Sequence, residues 1–245
     1  MKLKLLITNN MITKNQIKLI RSLSQKKNRK KHKLFVAEGS KVVKDLLDSD
    51  LNPDSIYSIE NEYENYDCFF KINSKKLSMI SNLKNPNNVI AVFKIPKLKD
   101  IDFTKNIIAL ENISDPGNLG SIIRLCDWFG IDDLICSLDT VDCYNPKVVQ
   151  ASMGSISRVN ITYSDLNFLI GKSKNLVLAD LNGKPLKNYN FKKNQIIFFG
   201  NESEGISNNL KKVVSESITI KKCGDRIDSL NVANSVAIVL SHLNN

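Results

Sequence analysis

A chain of 245 residues with 42% hydrophobic content can build one large domain or two of ordinary size, which excludes wholesale disorder. No apolar run approaches the roughly 18 residues of a membrane helix, and Leu3–Ile7 is too short for a signal-peptide core, so a cytoplasmic location is expected. The formal net charge of +10 suits a polyanionic partner, nucleic acid above all.

The excess charge is unevenly placed. Residues 1–100 hold 20 Lys+Arg against 10 Asp+Glu, whereas residues 101–245 hold 15 against 15. A genome-wide bias toward lysine codons would load both halves alike. The densest part is KKNRKKHK, Lys26 to Lys33, and Lys26, Lys27, Arg29, Lys30 and Lys31 are the candidate nucleic-acid contacts. Five cysteines, odd in number and without a CxxC pair, read as reduced thiols, and no metal site is expected. His32 and His242 are the two histidines, and neither adjoins a candidate nucleophile. Any catalysis must then use Arg, Glu, Ser, Asn or Lys rather than a Ser–His or Cys–His pair.

Taken in order, Thr13 and Gln16 form a capping box for a helix with Ile17, Ile20 and Leu23 on its inner face, ending near Ser24. The basic run follows as a solvated loop. A strand at Leu34–Val36 leads to a helix capped by Ser40, with Val42, Val43, Leu46 and Leu47 at core spacing. Strands at Ser55–Ile59, around Phe69–Ile72 and at Val89–Phe93, with a Ser74-capped helix, complete a small α/β domain over residues 1–100. A linker spans about 95–105.

The second domain, residues 101–245, opens with a strand at Ile107–Leu110. Asn118 then reads as the N-cap of a helix carrying Leu119, Ile122, Ile123, Cys126 and Phe129 on one stripe. Arg124 lies outside that stripe, and Trp128 reads as packing. Strands recur at Leu134–Cys136, Val159–Ile161, Leu176–Ala179, Ile196–Phe199 and Ser217–Ile220, separated by helices such as Pro146–Ser152 and Asn208–Val214. This alternation predicts an α/β fold with a mainly parallel sheet and helices on both faces. The last helix, Val232–Leu243, is apolar on nearly every side and is expected to be buried. Two loops after strand ends, GNESEG at Gly200–Gly205 and KKCGDRID after Ile220, form a candidate ligand site.

Three motifs carry a resemblance: Asn112-x5-Asn118-x-Gly120-x3-Arg124, Gly200-Asn201-Glu202-Ser203-Glu204-Gly205-Ile206-Ser207, and Ile220 followed by Ser229-Leu230-Asn231-Val232. In this order they resemble the SpoU/TrmH group of the SPOUT superfamily, S-adenosylmethionine-dependent RNA ribose 2′-O-methyltransferases. Ala151–Ser155 is similar to the family's mid-domain segment. Asn15, Arg29 and Phe35-x2-Glu38-Gly39 resemble the amino-terminal substrate-binding domain of many members, itself similar to RNA-binding ribosomal proteins. Two departures stand out. Ile220-Lys221-Lys222 replaces the frequent Ile-Pro-Met, and the glutamine-glycine that often precedes the last amino-terminal strand is absent near Asn88.

The resemblance implies a deep trefoil knot at the carboxyl end, a homodimer, and ribosomal rather than transfer RNA as substrate. It implies S-adenosylmethionine against Gly200, Ile220 and Leu230, with Asn201 and Gly205 beside it. It also implies catalytic roles for Arg124, Asn118, Glu202, Ser229 and Asn231. Without it, each has a plainer account: an exposed helical arginine, caps, and a carboxylate near a helix start. A non-catalytic ribosome-assembly factor on the same scaffold and a transfer-RNA methyltransferase stay open. A dinucleotide-dependent oxidoreductase is disfavoured because no GxGxxG follows an early strand.

Overall fold

The structure, a computed structural model, describes residues 12–49, 51–201 and 203–243. The chain divides into two units: Met1–Pro96 with Tyr144–Gln150, and Lys97–Cys143 with Ala151–Asn245.

In the first unit, strands β1 (Leu34–Glu38), β2 (Pro53–Ser58), β3 (Phe69–Lys71) and β4 (Val89–Lys94) form one sheet in the order β1-β4-β2-β3. β4 runs antiparallel to both β1 and β2, and β3 parallel to β2. The helices are α1 (Lys14–Ser22), α2 (Lys26–His32), α3 (Ser40–Leu47) and α4 (Ser74–Ile80). Ile20 and Leu23 from the α1 end and Leu77 and Ile80 from α4 share one core with Val36, Tyr57, Ile90 and Val92. The Thr13–Gln16 capping box is present, with Gln16 N–H donating to Thr13 Oγ1 at 3.2 Å and Thr13 N–H to Gln16 Oε1 at 2.8 Å.

The basic run is a helix, not a loop. Lysine and arginine are good helix formers, so density of charge does not by itself prevent one. Lys33 ends it in the left-handed conformation, with φ of 54°. Arg29 leaves the set of expected RNA contacts, because only 2% of it is exposed. Its Nη1 donates to the carbonyls of Leu23 and Ser24, both at 2.8 Å, closing the carboxyl end of α1. Lys26, Lys27, Lys30 and Lys31 are exposed.

In the second unit, β5 (Ile107–Leu110), β6 (Asp133–Cys136), β7 (Asn160–Tyr163), β8 (Leu176–Pro185), β9 (Ile196–Phe199) and β10 (Ser217–Thr219) form a six-stranded sheet in the order β10-β8-β9-β5-β6-β7. Every neighbouring pair is parallel. A parallel sheet covered on both faces needs apolar residues at successive positions rather than alternate ones. β5, β6 and β9 are accordingly buried at all four residues. Around the strands lie α5 (Pro116–Trp128), α7 (Asn208–Val213) and α8 (Val232–Leu243), while α6 (Pro146–Ser152) straddles the boundary between the units. Ile206, Leu210 and Val214 pack with Ile107, Ile135 and Phe198 in one core cluster. α5 packs against α8. Among the described residues, no helix is long and apolar enough to cross a membrane.

Several local expectations are corrected. The N-caps of α3 and α4 are Gly39 and Asn73, each one residue before the serine expected to cap it. The α5 cap is Asp115 rather than Asn118, because Pro116 takes the first helical position, where its missing N–H costs nothing. Trp128 is not packed but 83% exposed. α8 buries one face, through Val232, Ala233, Val236, Val239 and Leu240, and leaves Asn234, Ser241 and His242 in solvent. β8 runs beyond the expected Ala179 to Pro185. Its Gly183 is required by sterics, since a Cβ there would lie 2.4 Å from the carbonyl carbon of Ile218 on β10.

The two Arg29 bonds set a stability test. Arg29→Ala is expected to cost about 2–4 kcal/mol, because buried carbonyls lose a charged donor. Lys30→Ala is expected to stay within about 0.5 kcal/mol. Urea unfolding of both variants checks the contrast.

Candidate active site

The carboxyl ends of adjacent parallel strands are where open α/β sheets place ligands. Here the middle of β8 and the segments after β9 and β10 wall a cavity of about 770 Å³, within the ~300–1,000 Å³ of small-molecule sites. Gly200, Asn201, Gly205, Ile220, Ser229 and Leu230 all line it. Buried Ile206, Ile218 and Val239 supply apolar wall.

The turn after β9 is held closed by its own backbone. Gly205 N–H donates to the Asn201 carbonyl at 2.8 Å, and Gly205 takes φ of 67°, which glycine adopts without a Cβ penalty. A Cβ on Gly200 would lie 2.2 Å from the Gly205 carbonyl carbon, so position 200 admits only glycine in this turn. Asn201 Oδ1 accepts Ser203 N–H at 2.8 Å, and its Nδ2 donates to the Asn112 carbonyl at 2.8 Å. Asn112 itself sits at φ of 56°, accepts from Ser137 Oγ at 3.1 Å, and donates its N–H to that oxygen at 2.9 Å. Asn112 and Asn201 thus lock together the loops after β5, β6 and β9. Glu202 lies outside the described residues.

Asn118 and Asn231 meet. With Asp115 Oδ1 taking the Asn118 N–H at 2.8 Å, the Asn118 side chain is released from capping and accepts from Asn231 Nδ2 at 2.8 Å. Asn231 Oδ1 accepts Ala233 N–H at 2.9 Å, so Asn231, rather than Ser229, caps α8. Residues 221–231 are exposed throughout. Arg124 is exposed on α5 and is not among the cavity-lining residues, so one copy of the chain does not bring it to the wall that Gly200, Ile220 and Leu230 share.

Two lining residues escaped the sequence reading. Asp180 and Lys211 form an ion pair of 2.6 Å on the cavity wall. Burial pushes the Asp180 carboxyl up, but Lys211 and the backbone N–H groups of Asn182 and Leu181 hold it below the usual carboxylate range. The polar Asp-Leu-Asn-Gly run at the end of an apolar strand was the available signal. Burial raises the thiol pKa of Cys126 and Cys136, which keeps both neutral. Among the described residues, no cluster of three or more His, Cys, Asp or Glu is arranged to hold a metal ion.

Comparison with known proteins identifies relatives of both units. The MRM3-like substrate binding domain matches residues 14–91. The chain is 25% identical over 241 residues to the 23S rRNA (guanosine(2553)-2′-O)-methyltransferase RlmP of Bacillus subtilis, covering 94% of this chain and 96% of the relative. A TrmH-family protein from Porphyromonas gingivalis superposes with a TM-score of 0.86 at 29% identity, over 95% of this chain and 98% of its own. An AdoMet-bound rRNA methyltransferase from Sinorhizobium meliloti gives 0.83 at 27% identity, over 96% and 95%. The SpoU rRNA Methylase family matches residues 105–241, more than half of the chain; the protein belongs to that family.

Proposed function

We propose that the chain transfers a methyl group from S-adenosylmethionine to a ribose 2′-hydroxyl of ribosomal RNA, with residues 1–100 holding the RNA and residues 101–245 the chemistry. The observation that carries this reading is the cavity beside β8 and beyond β9 and β10, walled by Gly200, Ile220 and Leu230. Its lining fits the cofactor. Buried Ile206, Ile218 and Val239 suit the face of an adenine, and the tight Gly200–Gly205 turn exposes backbone polar groups at short range. The cofactor supplies an electrophilic methyl on a sulfonium and leaves as S-adenosylhomocysteine. In-line attack by the ribose oxygen demands alignment, so positioning supplies much of the rate.

Arg124 is the residue we assign to the ribose. A guanidinium with a pKa above ~12 does not serve as the base. It holds a neighbouring phosphate and stabilises charge developing on the oxygen. Asn118 and Asn231 fix the junction of α5 and α8, while Ser229 and Glu202 order the acceptor side. The Asn118–Asn231 bond supports the junction directly.

A homodimer completes the site in this reading. Arg124 and Trp128, one helical turn apart, share the solvent face of α5, and a tryptophan 83% exposed is a natural anchor for a second copy. The docking of α8 on α5, with the exposed 221–231 segment entering it, supports the trefoil knot. Exposed Lys26, Lys27, Lys30 and Lys31 on α2 are the RNA contacts. The RlmP relative's action on 23S rRNA and the match to a substrate-binding domain favour ribosomal RNA. The bacterial RlmP relative favours a cytoplasmic location.

Arg124→Ala is expected to keep folding and S-adenosylmethionine affinity while abolishing 2′-O-methylation of ribosomal RNA from cells lacking the gene. Calorimetry and methyl mapping measure the two. Wild-type protein that binds RNA but no cofactor would instead favour the assembly factor, for which Lys221-Lys222 in place of Pro-Met is the motive. Trp128→Glu should shift sedimentation from dimer to monomer and take methylation with it. Replacing Lys30 and Lys31 by alanine should flatten the salt dependence of RNA affinity, by roughly 0.7–0.9 in log–log slope for each lost phosphate contact.

A further inference from the structure

The charged residues lining the cavity differ sharply in how they are held. Glu204, Asp225, Asp228, Lys221, Lys222 and Arg226 stand on exposed loops. Asp180 does not. Its side chain is 14% exposed, at the end of the apolar Leu176–Ala179 stretch of β8. Oδ2 pairs with Lys211 Nζ at 2.6 Å, and Oδ1 accepts Asn182 N–H at 3.2 Å. The next turn is pinned as well, with Thr219 Oγ1 donating to the Leu181 carbonyl at 3.0 Å. A carboxylate so fixed keeps a free lone pair on each oxygen.

The ligand chemistry follows from charge. The ion pair with Lys211 neutralises Asp180, so the pair is a poor seat for a second cation such as a sulfonium or an ammonium. It remains a good seat for hydroxyls, which need acceptors and no net charge. Two acceptor oxygens match two vicinal hydroxyls, and an acidic side chain beside a parallel sheet's ligand crevice is how dinucleotide folds hold a ribose.

We propose that Asp180 accepts the 2′- and 3′-hydroxyls of the adenosyl ribose, making it a specificity residue of the cofactor site, with Lys211 as the residue that holds it. This rests on the cavity being the S-adenosylmethionine site. Asp180 then selects a ribose over a deoxyribose and is indifferent to the methyl group, because it faces the sugar and not the sulfur.

Calorimetry on the full-length protein tests this with S-adenosylmethionine, S-adenosylhomocysteine and the 2′- and 3′-deoxyribosyl analogues of the latter. In the wild type, removing a hydroxyl should weaken binding about tenfold or more. Asp180→Ala should weaken S-adenosylmethionine and S-adenosylhomocysteine by a similar factor and erase the deoxyribose penalty. Asp180→Asn retains an acceptor and the volume, so it should lie between; it carries the test should alanine impair folding. A deoxyribose penalty undiminished in these variants overturns the assignment. Loss of S-adenosylmethionine binding with S-adenosylhomocysteine unaffected also overturns it, by turning the carboxylate toward the sulfonium. A wild-type protein that binds neither overturns the methyltransferase reading along with it.

Discussion

The hydrogen bond from Asn231 to Asn118 joins residues 113 positions apart and fixes where the last helix begins. The same Asn231 side chain caps α8 through its oxygen, so one amide both starts the helix and anchors it to α5. Everything between β10 and that cap is solvent-exposed, from Lys221 to Asn231. Such a segment buries little surface, so its course is set largely from its two ends. The placement of Ser229 and Leu230 on the cavity wall therefore depends largely on the Asn231 side chain at one end and on Ile218, buried on β10, at the other.

Close backbone approach sets the remaining walls. Gly183 lets β8 come against Ile218, and Gly200 lets the β9 turn fold onto Gly205. Side chains at these positions would separate the loops by the width of a methyl group. Asn112 and Asn201 then cross-link the turns from the side of β5. The motif asparagines and glycines thus act on loop geometry.

The strands and helices with the simplest physics were legible in the residues. Ile107–Leu110 and Ile196–Phe199 have the bounds that the pattern predicts, because short apolar runs between polar breaks have few alternatives in a parallel sheet; the helices Pro146–Ser152 and Val232–Leu243 do so too, one opened by its proline and the other by the Asn231 cap. The residues that misled were those whose partners are distant or ambiguous. Arg29 looked like one more exposed cation, and only the carbonyls of Leu23 and Ser24 make it structural. Trp128 looked like core, although the buried stripe of α5 consists of Leu119, Ile122, Ile123 and Cys126. Asp180 was invisible because its significance comes from Lys211, a residue from another element. The motif residues were found, yet the structure separates them, with Gly200, Ile220 and Leu230 in the cavity and Arg124 on the outer face of α5.

The exposed span from Lys221 to Asn231 has a kinetic consequence. Segments that bury little and are tethered only at their ends swing aside at small free-energy cost, well below that of opening the sheet. The Lys221–Asn231 stretch of the cavity wall can therefore open while β10 and α8 stay folded. The wall that carries Ser229 and Leu230 is also the part of the cavity that opens at least cost.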